Sequence, residues 1–385
     1  MLFTDTLGDV NGVSRFIRNA AQQAHETGRN LFVVTSTRFA TPDLPNVRNF
    51  KPLWARPMPG YPQLDVVLPP ALAMIAFALE FRPDVIHLST PGSVGTAGLI
   101  ASMLLRVPVA GVYHTDFPAY VDHIFHDDSL TYFTQASMGL FYKRFSRVLS
   151  RSEEYREGIL RIGVSPDKLG TLLAGIRTQE FSPRFANREA MAALCNSSAS
   201  TIRVLYAGRV SVEKNLEMLT RIWLAADPVL REKGINAQLV VIGDGPYKTR
   251  MERELSQTRA AFLGFRHAEE LSMCYASSDI FAFPSTTDTL GQVVMESQSS
   301  GLPVLVTDQG GPSQVVEEGR TGFVLGGNKG DEGAWVERIV ALASDAAKRR
   351  EMGAAAHQSM QKYSMAKSFD HFWEVHEELA AAVRR

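Results

Sequence analysis

Short apolar runs alternate with longer segments of helical periodicity through both halves of the chain. In the first half, residues 1–3, 31–35 (LFVVT), 84–88 (DVIHL) and 107–113 (VPVAGVY) are short, β-branched and bounded by Gly, Pro or polar residues, as buried strands are. Between them, 12–26, 71–81 and 95–105 carry apolar residues at helical spacing. The pattern restarts with strands at 202–207 (IRVLYA), 238–242, 261–263, 279–283 and 303–306, separated by helices at 215–226, 247–257, 269–277 and 290–300. Strands separated by helices of this length predict βαβ units and parallel sheets.

The stretch between the halves, 175–200, contains Pro183 and a polar run at 196–200 and has no strand pattern, so a linker is expected there. At the end of the chain, 368–385 reads as an amphipathic helix with Phe369, Phe372 and Trp373 on its apolar side. The predicted fold class is therefore α/β. Two doubly wound domains, 1–174 and 201–365, are joined at 175–200, and a terminal helix at 366–385 returns to the first. Two such sheets facing each other place a ligand cleft at the carboxyl ends of their strands.

Composition narrows the function. The chain has 385 residues, enough for about two domains, and 45% hydrophobic residues, enough for real cores. Lys and Arg number 40 against 41 Asp and Glu, a net charge of −1, which argues against a nucleic-acid partner. Cys195 and Cys274 are too few for a disulfide framework or a four-cysteine metal site. The longest apolar run, 68–81, contains a proline pair and Glu80 and falls short of the roughly 20 residues of a membrane span. With no leader pattern at the start, a cytoplasmic protein is expected. The basic and aromatic run 141–156 (FYKRFSRVLSRSEEYR) has two readings: peripheral contact with the inner face of an anionic membrane, or a solvated helix with a buried aromatic stripe.

The most informative stretch is 279–306 (DIFAFPSTTDTLGQVVMESQSSGLPVLV), where a strand, a polar loop and a helix starting near Leu290 follow one another. The first N–H groups of that helix have no partner within it and favour an anion. Asp288 precedes the helix and Glu296 lies about two turns along it. Carboxylates so separated suit gripping two parts of one long ligand, each accepting from a pair of hydroxyls. The plainer reading makes Asp288 an N-cap and Glu296 a solvated helix residue. Arg209, after the strand 202–207, and Lys214, five residues on, could clamp a diphosphate or be two solvated surface cations. Gly12, between the first strand and first helix, permits close backbone approach to a phosphate or sugar, or simply makes a turn. His114 ends a buried strand and faces the cleft in this architecture, or is a satisfied structural histidine. No Asp-x-Asp pair, GxxxxGK[ST], HExxH or GxSxG occurs, so no metal site is signalled.

In order and spacing these motifs resemble glycosyltransferase family four, and the resemblance covers nearly the whole chain. The family's E-x7-E element is similar to Asp288 through Glu296, with Asp one methylene shorter at the first position. Its Gly-Arg and Lys-Asn elements are similar to Gly208-Arg209 and Lys214-Asn215, its GDGP turn to 243–246, and its glycine pair to Gly310-Gly311. In the first half, Asn11-Gly12-Val13, 82–95 (RPDVIHLSTPGSVG) and 113–118 (YHTDFP) match as well. Gln314 stands where the family usually has an acid, and Gly175-Ile176-Arg177 replaces its usual Gly-Val-Asp.

The resemblance implies a GT-B fold and retaining, metal-independent transfer of a hexose, mannose or glucose, without any cofactor beyond the nucleotide-diphosphate sugar. The donor would be of the GDP-mannose or UDP-glucose class, and the acceptor a hydroxyl of a lipid or cell-envelope glycan. Arg209 and Lys214 would hold the diphosphate, assisted by N–H groups of Leu290, Gly291, Gln292 and Val293 and by Gly12. Glu296 would bind the ribose, Asp288 the sugar hydroxyls, and His114 would lie beside the transferred sugar. The catalytic set would be His114, Asp288, Arg209 and Lys214. Two alternatives stay open: a sugar-nucleotide epimerase on the same fold, and a non-catalytic sugar-nucleotide-binding subunit.

Overall fold

The computed structural model describes residues 1–8, 12–58, 61–113, 127–150, 153–288 and 290–384. They form two compact units: unit 1 is Met1–Gly175 with Ala366–Arg385, and unit 2 is Ile176–Met365.

Unit 1 is built on strands β1 (Leu2–Thr4), β2 (Val33–Thr35), β3 (Val47–Asn49), β6 (Ile86–Leu88), β7 (Val109–Val112), β8 (Arg147–Ser150) and β9 (Leu169–Thr171), with a separate antiparallel hairpin of β4 (Trp54–Met58) and β5 (Tyr61–Leu68). The seven strands pair in parallel in the order β3-β2-β1-β6-β7-β8-β9. Its helices are α1 (Gly12–Thr27), α2 (Ala71–Phe81), α3 (Ser93–Leu105), α4 (Asp128–Tyr142) and α5 (Glu153–Arg161). One hydrophobic layer joins α2 and α3 to the sheet through Met74, Ala78, Val94 and Ala101. The opposite layer joins α1 to the C-terminal helix through Phe16, Ile17, Phe369 and Phe372.

Asp5, just past β1, fixes the local geometry of the sheet's carboxyl edge. Its carboxylate accepts from the backbone N–H of Val94 (2.8 Å) and Gly95 (3.3 Å) and from the hydroxyls of Thr90 (2.6 Å) and Ser93 (3.2 Å). The amino end of α3 is thereby neutralised from within.

Unit 2 contains α6 (Arg188–Leu194), β10 (Ile202–Ala207), α7 (Leu216–Glu232), β11 (Ala237–Ile242), α8 (Lys248–Glu254), β12 (Ala260–Gly264), α9 (Ala268–Ala276), β13 (Ile280–Phe283), α10 (Gln292–Ser299), β14 (Val304–Thr307), β15 (Gly322–Leu325), α11 (Glu332–Ser344) and α12 (Ala346–Met360). Its six strands are parallel in the order β12-β11-β10-β13-β14-β15. Strands β11, β13 and β14 are buried at every position, as a sheet covered on both faces requires. The order reverses at β10, so the loops after β10 and β13 diverge from adjacent strands, the place where doubly wound sheets open a crevice.

Residues 176–200 are not a free linker. The Arg188 guanidinium grips both carboxylate oxygens of Asp279 at 3.1 and 3.2 Å, and Met191 and Cys195 join the unit 2 core. The terminal helix α13 (Met365–Arg384) lies on unit 1 from Ala366 onward. Arg29 pairs with Asp370 at 2.6 Å, and Phe16 meets Phe372 edge-on at 5.7 Å. Within this packing, Nδ1 of His376 sits 2.6 Å from the Phe372 carbonyl and Nε2 sits 2.9 Å from Nδ1 of His87. A carbonyl only accepts, so His376 carries its proton on Nδ1, and its unprotonated Nε2 accepts a hydrogen bond from the Nδ1–H of His87. Burial pushes the His376 imidazole down to about 4.

The run 141–156 places part of its aromatic stripe in the unit 1 core. Tyr142 and Phe145 are buried there, their ring centroids 4.9 Å apart and their planes tilted by 52°, so these two aromatics face inward. Among the described residues, no helix is long and apolar enough to cross a membrane.

Candidate functional site

The candidate site begins where β10, β11 and β12 end. The N–H of Gly208 donates to Ile242 (3.0 Å) and that of Gly243 to Gly264 (2.9 Å), stapling the three strand ends. A Cβ on Gly243, whose φ is +128°, would lie 1.9 Å from the Gly208 carbonyl oxygen, so this approach requires glycine. Arg209 follows with an exposed side chain, while its carbonyl accepts a 2.8 Å bond from the buried Tyr206 hydroxyl. Burial, reinforced by the charges of Asp288 and Glu213, pushes that phenol far above its ordinary range, which keeps it a donor. The guanidinium of Arg209 thus projects from an anchored backbone.

The chain then makes a single turn through Lys214 to Asn215, which adopts left-handed geometry at φ 55°. The Asn215 amide donates to the carbonyls of Pro284 (3.2 Å) and Gly327 (3.0 Å), pinning the loops after β13 and β15. Thr287 adds a bond from its hydroxyl to the Glu213 carbonyl at 3.1 Å. The result places Nζ of Lys214 2.9 Å from Oδ2 of Asp288, with both side chains about three-quarters buried. The Glu213 carboxyl beside them is held below its usual range by the Ser211 hydroxyl and by backbone N–H, with Arg209 and Lys214 adding to the shift. Both cations therefore act on one locality.

Asp288 is not an N-cap. Its carboxylate goes to Lys214, its carbonyl accepts the Gly311 N–H at 2.8 Å, and helix α10 begins four residues later at Gln292. The helix expected from Leu290 is delayed because Gly291 takes φ +66°, with Pro312 Cγ 2.7 Å from where its Cβ would be. Leu290 and Gly291 accordingly form the approach to the helix, and Gln292 and Val293 open it. A side-chain cap is impossible at Gly291, so the first N–H groups of α10 stay available to an anion.

Glu296 is not a solvated helix residue either. It is 6% exposed, and the Tyr275 hydroxyl stands 3.4 Å from its Oε2. Tyr275 is packed between Phe181 (5.6 Å) and Phe281 (5.8 Å), and burial, then the Glu296 charge, pushes its phenol well above the usual range. A neutral Tyr275 thus orients the carboxylate.

Unit 2 brings Arg209, Lys214, Asp288, Gly291, Gln292, Val293 and Glu296 to one end of its sheet. Gly12 opens α1 in unit 1, with nothing among the described residues within 4 Å of where a Cβ would stand. His114 lies outside the described residues. Asn215 was matched in the sequence only as part of the Lys214-Asn215 element, with no role of its own, and Tyr275 was not singled out at all. The Lys-Asn pair was the available signal for the first; the second lies 21 residues from its partner, where only the fold joins them. Chemically, the arrangement offers two cations and a helix amino end to an anion, and two carboxylates to hydroxyl groups. Among the described residues, no cluster of three or more His, Cys, Asp or Glu side chains is placed to hold a metal.

Comparison with known proteins agrees with this division. Residues 10–180 match a family model described as Glycosyltransferase Family 4, and residues 201–345 one described as Glycosyl transferases group 1. The chain is 30% identical to sulfoquinovosyl transferase SQD2 of Arabidopsis thaliana over 358 residues, 92% of this chain and 68% of that protein. It is 29% identical to a GDP-mannose-dependent alpha-mannosyltransferase of Mycobacterium tuberculosis, covering 83% of this chain and 81% of the other. The crystal structure of Anabaena Alr3699/HepE in complex with UDP superposes with a TM-score of 0.75 at 19% identity, covering 98% of this chain and 99% of that one.

Proposed function

The chain belongs to glycosyltransferase family 4 and is a glycosyltransferase of GT-B fold, and from that premise we propose the reaction and the roles of its site residues. The enzyme transfers a hexose, mannose or glucose, from a GDP-mannose or UDP-glucose class donor to a hydroxyl of a lipid or cell-envelope glycan, with retention of configuration and without a metal. The observation that carries this reading is the Lys214–Asp288 contact at the strand-order reversal of unit 2, beside the uncapped amino end of α10. Two relatives, from Mycobacterium tuberculosis and Mycolicibacterium smegmatis, are GDP-mannose-dependent alpha-mannosyltransferases, which supports the mannose reading.

In this proposal Lys214 and Arg209 meet the diphosphate as point charge and fork, and the N–H groups of Gln292 and Val293 complete its shell. Glu296, oriented by Tyr275, accepts from the two ribose hydroxyls, and Asp288 accepts from the hexose. As the anomeric carbon–oxygen bond to phosphate breaks, negative charge grows on the leaving diphosphate, where fixed cations and dipoles already point. The acceptor hydroxyl bonds to the anomeric carbon from that same face. Its proton passes to a departing phosphate oxygen, so no protein nucleophile is needed. Most of the acceleration then comes from positioning and from charge stabilisation.

The test incubates the purified chain with UDP-glucose or GDP-mannose and a lipid extract, following product by thin-layer chromatography and fresh anomeric configuration by proton NMR. Acceptor-dependent transfer with the donor's configuration supports the proposal. Inverted product refutes retention. Isomerised donor without acceptor selects the epimerase, and tight donor binding with neither transfer nor hydrolysis selects the silent subunit.

A further inference from the structure

Helices α2 and α3 pack side by side on one face of the unit 1 sheet and are apolar almost all round, Glu80 being the one charge in their sequences. Their inner rows, such as Met74 and Ala101, are buried, but their outer rows are not: Leu72 is 86% exposed, Leu104 59% and Met103 44%. A helix apolar on every side belongs in an interior, so this layer is covered on only one face.

The hairpin β4–β5 extends the same property. It runs into α2 through Pro69 and Pro70, and the Ser93 hydroxyl at the start of α3 donates to the Val67 carbonyl at 2.8 Å. Its alternation is reversed for a solvated ribbon. Trp54 pairs with Leu68 and Arg56 with Val66 across the strands, placing all four on one face, with the three apolar residues 48–55% exposed. The acid of this hairpin, Asp65, points the other way, nearly buried against Arg38.

Charge decides what covers such a face. Exposed Arg56 lies on the hairpin and Lys51 just before it, and Arg82 and Arg106 cap the carboxyl ends of α2 and α3, four cations against the exposed acids Glu80 on α2 and Asp84 just past Arg82. An isologous second copy would set that cationic rim against itself. A bilayer containing anionic lipid satisfies both parts, taking the leucines into its acyl boundary, Trp54 at headgroup level and the cations among phosphates. We infer that the outer face of α2, α3 and the β4–β5 hairpin is the docking surface of this chain on anionic membranes. The inference rests on this surface alone and stands apart from the donor and acceptor chemistry proposed above.

The test is flotation of the full chain with phosphatidylcholine vesicles, with and without phosphatidylglycerol, at low and high salt. Binding is expected with phosphatidylglycerol, weakened by salt, with a blue shift of tryptophan emission that is absent in Trp54→Phe. Leu72→Glu and Leu104→Glu should each lower partitioning by about 10-fold or more, leaving melting temperature and nucleoside-diphosphate binding unchanged, since both positions are solvent-exposed. Absence of vesicle binding by the native chain, or undiminished binding by the double variant, overturns the inference. So does a concentration-dependent dimer that the two substitutions dissociate in a chain that ignores vesicles.

Discussion

Replacing Asp288 by Asn should tighten the binding of a free nucleoside diphosphate while slowing sugar transfer. Asp288 neutralises Lys214 across 2.9 Å, so an incoming diphosphate competes with a carboxylate for that ammonium. The side chains keep 21% and 25% of their exposure, so solvent screens the pair, and its net worth is taken as about 1 kcal/mol. Asn keeps the shape and the backbone bond to Gly311 but removes the charge, so UDP or GDP should bind about 5-fold more tightly. Lys214→Ala should act oppositely. Loss of a charge-assisted hydrogen bond worth about 1.5–3 kcal/mol weakens the same ligand by about 10- to 150-fold. Isothermal titration of the two single variants and the double variant closes the cycle. The gain from Asp288→Asn should vanish in the Lys214→Ala background. Unchanged or weaker binding by Asp288→Asn, or a gain that survives without Lys214, would refute a shared diphosphate site.

Other consequences can be measured separately. Glu296→Gln should weaken nucleoside-diphosphate binding by about 10-fold through loss of one charged acceptor, with no loss for inorganic diphosphate, which has no ribose; equal loss for both would place Glu296 elsewhere. Gly291→Ala forces a Cβ toward Pro312 at positive φ, and urea unfolding should show a loss of at least about 1–2 kcal/mol; an unaffected midpoint would show that the turn before α10 is not constrained. The folded-state pKa of His376 is depressed from 6.5 to about 4, so the unfolded chain binds its proton first as pH falls. Its neutral burial therefore contributes about 3 kcal/mol above pH 6.5 that is lost as pH drops toward 4. His376→Asn should flatten melting temperature against pH over that window, and a wild-type-like profile would contradict this.

Sequence periodicity located the elements whose signal is local. The buried strands β10, β11 and β13 each carry a four-residue apolar run (VLYA, LVVI and IFAF), and each appears where the pattern placed it, within a residue or two. What escaped depended on partners far along the chain. The segment 175–200 reads as a polar linker until Asp279, ninety-one residues beyond Arg188, supplies the ion pair that folds it into unit 2. The β4–β5 hairpin was invisible because its alternation points outward, contrary to the rule by which solvated strands are recognised. At the candidate site, residue types and spacing singled out Arg209, Lys214, Asp288 and Glu296. They left open whether Asp288 capped a helix, and only the glycine turn at Gly291 and the reach of Lys214 decide that it does not.

The central claim is that one end of the unit 2 sheet receives a nucleoside diphosphate. A crystal structure of the chain with UDP or GDP tests it most directly. The account predicts phosphate oxygens within hydrogen-bond reach of Lys214 Nζ, the Arg209 guanidinium and the N–H groups of Gln292 and Val293, with the ribose hydroxyls on Glu296. A nucleotide bound with its phosphates away from Lys214 and α10, or with its ribose far from Glu296, would contradict it.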